Sequence, residues 1–195
     1  MSSGWMAGSA RAKLDTRGTM RIAVVGSPCS GKSTLATELR GAVGLDLIRL
    51  DDLYWGPRWS RPEEAEWRAR LADALRGDSW IVDGNYAASF GERFARADLV
   101  IYVKTPALVC LARYAARVAR IARGDTSLLP RDVGDARPWA PGDWRALPEK
   151  ILAFQAQIEP AILREAGHAA CELWTVTSKG ERMDAVARVR RRTVQ

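Results

Sequence analysis

The run GSPCSGKST, residues 26–34, decides the fold of this chain. It has the spacing G-x-x-x-x-G-K-S, which is typical of a loop that binds the phosphates of a nucleotide. Glycine at the two fixed positions allows turns in which successive backbone N–H groups point at phosphate oxygens. Lys32 adds a point charge for the outer phosphates, and Ser33 offers a hydroxyl to Mg²⁺. The residues predicted to bind the nucleotide here are Gly26, Ser30, Gly31, Lys32, Ser33 and Thr34.

The residues on either side of this loop predict the setting that the motif requires. Residues 21–25 form a short apolar run rich in β-branched side chains, which predicts a buried strand. After the loop, Leu35, Leu39 and Val43 recur at helical spacing, and Gly44 ends the helix. The alternation of strands and helices continues along the chain. It predicts a three-layer α/β fold of the P-loop NTPase type, with a mostly parallel sheet of five strands.

Length and composition predict one globular domain. The chain has 195 residues, of which 47% are hydrophobic, and no apolar run approaches the roughly 20 residues that span a bilayer. The start of the chain has no apolar segment typical of a secretory signal, and its three cysteines are far apart. We therefore expect a cytoplasmic protein that needs no membrane. We expect residues 1–19 to be a flexible N-terminal extension and residues 20–195 to be one domain.

The net charge of +7 predicts an anionic partner. The isoelectric point is about 9.8. A partner as small as ATP satisfies this charge, so the excess of basic residues does not by itself indicate nucleic acid. Six basic residues and two acidic ones lie from Lys179 to Arg192, a stretch that contains the predicted last helix of residues 181–192.

Carboxylates follow two of the predicted strands. Asp51 and Asp52 follow the strand of residues 45–50, and Asp83 ends the strand that begins at Trp80. Ligands bind at the carboxyl ends of strands in an α/β sheet. We predict that Asp51 accepts the proton of an attacking hydroxyl and that Asp83 orients Mg²⁺ together with Ser33. The alternative for Asp51 and Asp52 is that they only cap the next turn.

A dense aromatic and basic group lies just beyond Asp51. It is predicted to bind the molecule that accepts the phosphoryl group, by stacking and by charge pairing. The alternative, equally weighted, is that the tryptophans pack a lid onto the core while the arginines are solvated. The candidate acceptor-binding residues are Asp52, Tyr54, Trp55, Arg58, Trp59, Arg61 and Asn85.

Four arginines share one face of the helix predicted between Pro106 and Arg123. Acidic residues are missing from this face, which indicates an external anion, although a merely basic surface stripe would look the same. The segment of residues 124–147 lacks periodicity and is rich in Gly, Pro and Asp, so we predict a lid over residues 113–147. The predicted roles are catalytic for Arg113, Arg117 and Arg120 and nucleotide-binding for Arg123.

Four stretches carry a resemblance to a known family: RIAVVGSPCSGKSTLA, LDDLYW, WIVDGNY and ADLVIYVKTP. Together they resemble the adenylate-kinase-related P-loop kinases, and most of all the bacterial group called DNA topology modulation proteins. The resemblance covers residues 20 to 125 and is looser beyond them. It implies a sheet order of 2-3-1-4-5, ATP with Mg²⁺ as cofactors, and a mobile lid that carries arginines. The acceptor is poorly defined even within this group, and the word topology in its name is not evidence of DNA binding.

The acceptor stays open between two chemical classes. LDDLYW also resembles the D-D-F-Y stretch of uridine-kinase-like and nicotinamide-riboside-kinase-like enzymes, in which the first acid is the base for a sugar hydroxyl. A hydroxyl acceptor benefits from a carboxylate, whereas a phosphate acceptor needs arginines, and this chain has both. We favour a small hydroxyl compound or nucleoside slightly. A nucleic-acid-binding NTPase or regulator and a polynucleotide end kinase are the alternatives, although no nucleic-acid recognition module is apparent.

Overall fold

The computed structural model describes residues 19–133, 143–169 and 171–193. The predicted N-terminal extension lies outside these ranges except for its last residue, and residues 134–142 of the predicted lid lie outside them as well. Within the described ranges, five strands and eight α-helices alternate along the chain. The strands are β1 (Arg21–Gly26), β2 (Leu47–Arg49), β3 (Trp80–Asp83), β4 (Leu99–Val103) and β5 (Glu172–Val176).

The helices follow the predicted periodicity, with one difference directly after β2. Leu50 begins a short helix instead of extending the second strand, so Asp51 and Asp52 lie in a helical turn. Pro160 predicts a break in the helical pattern of residues 148–166, and the pattern is divided at Ile158, with Pro160 in the first turn of the second part, where a proline is tolerated. The helices are α1 (Lys32–Val43), α2 (Leu50–Tyr54), α3 (Glu64–Ala74), α4 (Phe90–Arg96), α5 (Ala107–Ala122), α6 (Asp143–Gln157), α7 (Glu159–His168) and α8 (Lys179–Thr193).

All strand pairs in the sheet are parallel, and the strand order is β2-β3-β1-β4-β5. This is the order that the family resemblance implies. β1 lies at the centre, between β3 and β4. Its interior residues are fully buried, as expected of a strand covered on both faces.

Two apolar clusters cover the two faces of the sheet. One cluster joins the sheet to α3, α4, α6 and α7 through large side chains such as Trp80, Phe90 and Phe94. The other joins it to α1 and α8 through residues such as Leu35, Leu39 and Val189. The helices therefore form two outer layers, and the polar residues after each strand are left at the carboxyl edge of the sheet. Among the helices of the described ranges, none is both long enough and apolar enough to cross a bilayer.

Candidate active site

The register of the central strands brings the phosphate loop and two acidic segments to the same edge. Asp83 is the register partner of Val24 in β1 and of Arg49 in β2. The loop begins two residues after Val24, and α2 begins directly after Arg49. The loop, the last residue of β3 and the first turn of α2 are therefore neighbours, although the sequence separates them by tens of residues.

The two glycines of the loop occupy positions where a side chain would clash with neighbouring atoms or would strain the backbone. A Cβ on Gly26 would lie 2.6 Å from the carbonyl oxygen of Val103, which is closer than atoms of folded proteins approach. Gly31 has a φ of 99° and precedes α1 as its N-cap, where no side chain hydrogen-bonds the first turn. The N-terminal N–H groups of this helix therefore face the loop, an arrangement that favours an anion.

Residues from two other elements hold the loop by one of its carbonyl groups. The carbonyl oxygen of Ser30 accepts hydrogen bonds from the Thr105 hydroxyl at 3.0 Å and from Nη1 of Arg113 at 2.8 Å. Cys29, just before it, has a φ of 60°, which is uncommon for a residue with a side chain. The loop conformation is therefore supported from the side of β4 and α5.

Asp83 is a buried carboxylate beside the loop lysine. Its side chain is 6% exposed in a strand that is otherwise apolar. Burial raises the pKa of Asp83, while Lys32 and a hydrogen bond from Ser33 lower it and the Asp51 carboxylate raises it further. These influences place Lys32, Ser33 and Asp51 within electrostatic reach of Asp83.

The donor set around Asp83 fits Mg²⁺. Oδ1 of Asp83 is buried and has no hydrogen-bond partner among the described residues. A buried acceptor of this kind is costly unless a ligand or water satisfies it. Carboxylate and hydroxyl oxygens are ligands that Mg²⁺ accepts, usually with several of its own waters. Asp83 and Ser33 are therefore suited to hold the ion, as the sequence predicts.

Asp51 is exposed at the start of α2 and is oriented by a tyrosine that sequence reasoning missed. The hydroxyl of Tyr86 donates a hydrogen bond of 2.9 Å to Oδ1 of Asp51. Tyr86 has a φ of 43°, a strained value for an aromatic residue. The position of Tyr86 directly after WIVDGN was the available signal, since this turn lies at the ligand-binding edge.

Two of the predicted acceptor-binding residues are committed to other partners. The amide of Asn85 donates to the carbonyl oxygen of Gly26 at 2.8 Å and accepts from its N–H at 3.1 Å. The carboxylate of Asp52 accepts from the N–H of Arg131 at 3.1 Å and lies 3.4 Å from Nε of the same residue. The structure thus pairs Asn85 with the first residue of the phosphate loop and Asp52 with Arg131, and contact of either residue with an acceptor stays a prediction.

The aromatic group divides into a packed part and a rim. Tyr54 packs edge-on against the buried Trp67 and lies 4.8 Å, between ring centroids, from Tyr86. Trp55 instead contacts Trp59 at 5.3 Å and carries the guanidinium of Arg61 above its ring, also at 5.3 Å. Tyr54 therefore packs against the core, and Trp55 and Trp59 are half-buried, while acceptor binding by this group stays a prediction.

The turn that carries Trp59 has an unusual backbone. Arg58 and Trp59 are consecutive residues with φ values of 54° and 62°. The chain closes on itself there, because the N–H of Gly56 donates to the carbonyl oxygen of Ser60 at 3.0 Å. Arg58 itself is exposed.

The four arginines of α5 have different surroundings. Arg113 contacts the carbonyl groups of the loop, as described above. Arg120 is paired with Asp125, which its Nε and Nη2 atoms contact at 3.0 and 2.5 Å. Arg117 is half-buried between them, and Arg123 is exposed at the end of the helix. Arg113 therefore contacts the phosphate loop, whereas Arg120 is paired with Asp125.

A second arginine beside the loop comes from α8 and was not predicted. A Cβ on Gly31 would lie 3.6 Å from Nη1 of Arg182 and 3.7 Å from Nη1 of Arg113. Arg182 also pairs with Glu38 at 3.2 Å. Helix α8 is far from the phosphate loop in sequence and contains several other basic residues. No local signal therefore distinguishes Arg182 from its neighbours.

The scan against protein families assigns most of this site to one family. The model of the AAA domain matches residues 22–127, which include the loop, Asp51, Asp83 and the arginines of α5. The chain belongs to the AAA domain family. The search of curated proteins found no match for this AAA domain protein.

Solved structures support the fold of this AAA domain protein. Shikimate kinase from Acinetobacter baumannii, in complex with shikimate, is similar with a TM-score of 0.56 and 16% identity, over 89% of this chain and 92% of that one. Shikimate kinase from Bacteroides thetaiotaomicron has a TM-score of 0.53 and 15% identity, over 89% and 97% of the two chains. The AAA domain protein therefore has a fold of the P-loop kinase type. The finer resemblance to the DNA topology modulation group stays a prediction.

Proposed function

We propose that this AAA domain protein is an ATP-dependent small-molecule kinase that transfers the γ-phosphate of ATP to a hydroxyl group. The observation that carries the proposal is the buried Asp83 carboxylate beside Lys32 and Ser33 at the end of the phosphate loop. A glycine turn alone could join two elements. A buried acid with an unpartnered oxygen at that turn instead indicates a site for a metal-bound phosphate.

The residues of the loop would bind and orient the nucleotide. The N–H groups at the start of α1 and the Lys32 ammonium would bind the β- and γ-phosphates, and Asp83 and Ser33 would hold Mg²⁺. Mg²⁺ supplies neutralisation of the phosphate charge when bound. Arg113 and Arg182 flank Gly31, so they are positioned to neutralise charge on the outer side of the phosphates.

Asp51 would serve the acceptor. Its carboxylate is exposed and oriented by Tyr86, which suits a base that receives the proton of an attacking hydroxyl. Two cations near this side already have partners: Arg61 lies over Trp55, and Arg131 is paired with Asp52. The oriented carboxylate is our reason for proposing a hydroxyl acceptor, while the exposed Arg58 and Arg61 keep charge that would suit an acceptor phosphate, and the screen below distinguishes the two.

The charge of α8 supports the kinase over the nucleic-acid alternative. Arg182 pairs with Glu38, and Arg192 pairs with Glu172 while lying over the Trp174 ring. Arg188 lies over the same ring at 4.0 Å. Three of the six basic residues between Lys179 and Arg192 therefore have partners within the protein, and the other three are exposed. We expect weak duplex DNA binding at physiological salt, and tight binding with a steep salt dependence would favour the alternative.

A screen of ATP consumption tests the proposal. Purified protein with Mg·ATP is offered nucleosides, nucleoside monophosphates, sugars and hydroxy acids, including the shikimate that the Acinetobacter structure contains, and ADP is measured. We expect stimulation by at least one hydroxyl compound and none in the Lys32→Ala variant. Stimulation by nucleoside monophosphates alone would replace the hydroxyl acceptor with a phosphate acceptor. Failure of the wild-type protein to bind Mg·ATP would overturn the proposal as a whole.

A further inference from the structure

Arg93 is a fully buried arginine in α4, surrounded by aromatic side chains. Its exposed fraction is 0%, and its guanidinium lies 5.2 Å from the Phe90 ring centroid and 6.0 Å from that of Phe94. An apolar residue at this position would pack in the same cluster without the cost of removing a charge from water. Burial lowers the pKa of Arg93 to about 9, with Asp83 opposing the shift, so the group stays charged at neutral pH. The arginine therefore requires an explanation other than core packing.

The partners of Arg93 supply that explanation. Its Nη1 donates to the carbonyl oxygen of Gly84 at 2.9 Å, its Nη2 donates to that of Asn85, and its Nε donates to the Ser89 hydroxyl at 3.0 Å. Ser89 in turn donates from its hydroxyl to the carbonyl oxygen of Tyr86 at 2.7 Å. All three carbonyl groups of the turn at residues 84–86 are thus fixed, directly or through Ser89, by one planar group.

The side chains of this turn reach the two halves of the site. Asn85 bonds both backbone groups of Gly26, the first residue of the phosphate loop. Tyr86, the next residue, bonds the Asp51 carboxylate. The main chain of the turn is also tied to the sheet, because the N–H of Gly84 donates to the carbonyl oxygen of Val24 at 3.2 Å.

We propose that the turn at residues 84–86, held by Arg93, couples the phosphate loop to the Asp51 carboxylate. The turn does so by fixing the position of the loop relative to that carboxylate. Arg93 is then a positioning residue for both halves of the reaction. The inference rests on the proposed kinase function, because it assigns the acceptor side to Asp51. It also explains why a strained φ is retained at Tyr86, since relaxing the turn would move Tyr86 away from Asp51.

The test uses Mg·ATP alone, whose dissociation constant and slow hydrolysis to water are measurable without a known acceptor. In hydrolysis, water takes the acceptor's place beside Asp51. The variant is Arg93→Lys, which keeps the charge but cannot bind two carbonyl groups with one planar fork. We expect it to raise the Kd of Mg·ATP about ten-fold and to lower the hydrolysis kcat about ten-fold. Arg96→Lys, on the same helix, is the matched control and should change neither.

Two further variants separate the two arms. We expect Asn85→Ala to raise the Kd of Mg·ATP about five-fold with little change in kcat, and Tyr86→Phe to lower kcat with little change in Kd. The double variant Arg93→Lys/Asn85→Ala should bind Mg·ATP no more weakly than Arg93→Lys alone, since both changes release the same contact.

Specific results would overturn the coupling. The first is that Arg93→Lys leaves Kd and kcat as unchanged as Arg96→Lys does. The second is that the Kd of the double variant Arg93→Lys/Asn85→Ala rises by the product of the two single effects. If Arg93→Lys does not unfold cooperatively on heating, the comparison of Asn85→Ala with Tyr86→Phe replaces it. Equal effects of these two variants on Kd and equal effects on kcat would refute the assignment of one arm to the nucleotide and the other to Asp51. A wild-type protein that does not bind Mg·ATP refutes the kinase itself, and a wild type that binds while the variants behave otherwise refutes only the coupling.

Discussion

The hydroxyl of Tyr86 and the carboxylate of Asp51 are joined by a hydrogen bond of 2.9 Å across 35 residues of sequence. The donor comes from the turn after β3 and the acceptor from the first turn of α2. A hydrogen bond from one side fixes the carboxylate and leaves its second oxygen for a substrate. The adjacent Asp52 has the same chemistry but is bound to Arg131. This pair of neighbouring acids therefore offers a matched comparison.

Asp51→Asn should abolish phosphoryl transfer while leaving nucleotide binding intact. The amide keeps the size of the side chain and can still accept from Tyr86, but it cannot take a proton from the acceptor. We expect kcat to fall by about 10² to 10⁴-fold and the Kd of Mg·ATP to change less than two-fold or so. Asp52→Asn, measured in the same transfer assay, should lower kcat by no more than about three-fold. Equal losses in the two variants would remove the base assignment from Asp51.

Asp83→Asn should stabilise the nucleotide-free protein and remove its response to magnesium. Because burial raises the pKa of Asp83, the folded state binds its proton more tightly than the unfolded state does. The contribution of Asp83 to the free energy of unfolding therefore falls as the pH rises from its pKa in the unfolded state through its higher pKa in the folded state. Above that window the ionised carboxylate is a cost, and the amide removes it, so Asp83→Asn should unfold at a higher temperature than the wild type there. Thermal unfolding at several pH values, with and without Mg·ATP, measures both effects, and a wild-type melting temperature independent of pH in this window would contradict the first.

The arginines beside Gly31 should contribute to nucleotide affinity, and Arg120 should not. Replacing Arg113 or Arg182 by Ala removes a guanidinium that flanks the phosphate loop. A charge-assisted contact of this kind contributes about 1.5–3 kcal/mol, so the Kd of Mg·ATP should rise about ten-fold or more in each variant. Arg120→Ala breaks only an exposed pair with Asp125 and serves as the control. Calorimetric titration distinguishes the three, and a loss in Arg120→Ala as large as in the others would restore Arg120 to the site.

Two glycines should respond to alanine in opposite directions. Gly84 has a φ of 144°, and a Cβ there would lie 2.9 Å from the Cβ of the buried Leu50. Gly84→Ala should therefore lower the free energy of unfolding by about 1–3 kcal/mol. Gly41 is in the interior of α1 with no atom within 4 Å of the place of its Cβ. Gly41→Ala should raise stability by about 0.5–1 kcal/mol, and denaturant unfolding of both variants tests the contrast.

The parts of the molecule that follow from local chemistry were predictable. The glycine spacing, the apolar run before it and the helical pattern after it are local features, and they predict the strand, loop and helix that the structure shows. The sheet order came from the family resemblance, and the observed order agrees with it. The second strand was predicted too long because an apolar residue such as Leu50 fits the end of a strand as well as the start of a helix. The packing of Leu50 against Gly84 is not visible in the periodicity of the sequence.

The partners of the polar side chains were not predictable, because they depend on distant segments. Nothing near Asn85 indicates that its amide pairs with Gly26, and nothing near Asp52 indicates Arg131. Helical spacing placed the α5 arginines on one face but could not show that Asp125 would engage one of them. Arg93 lies between two phenylalanines at positions that favour the core, so an arginine there was the available signal of a buried polar role.

The strand that precedes the phosphate loop is the first in the chain but the middle one of the sheet. During synthesis on the ribosome, β1 therefore waits for β3 and β4, which emerge more than fifty residues later, before either of its edges is covered. The nucleotide site cannot form in stages, because Asn85, Asp83 and the backbone that complete it are synthesised together with those later strands. A nascent chain released before β4 would expose an uncovered apolar strand, so premature truncation should yield an aggregating product instead of a smaller nucleotide-binding protein.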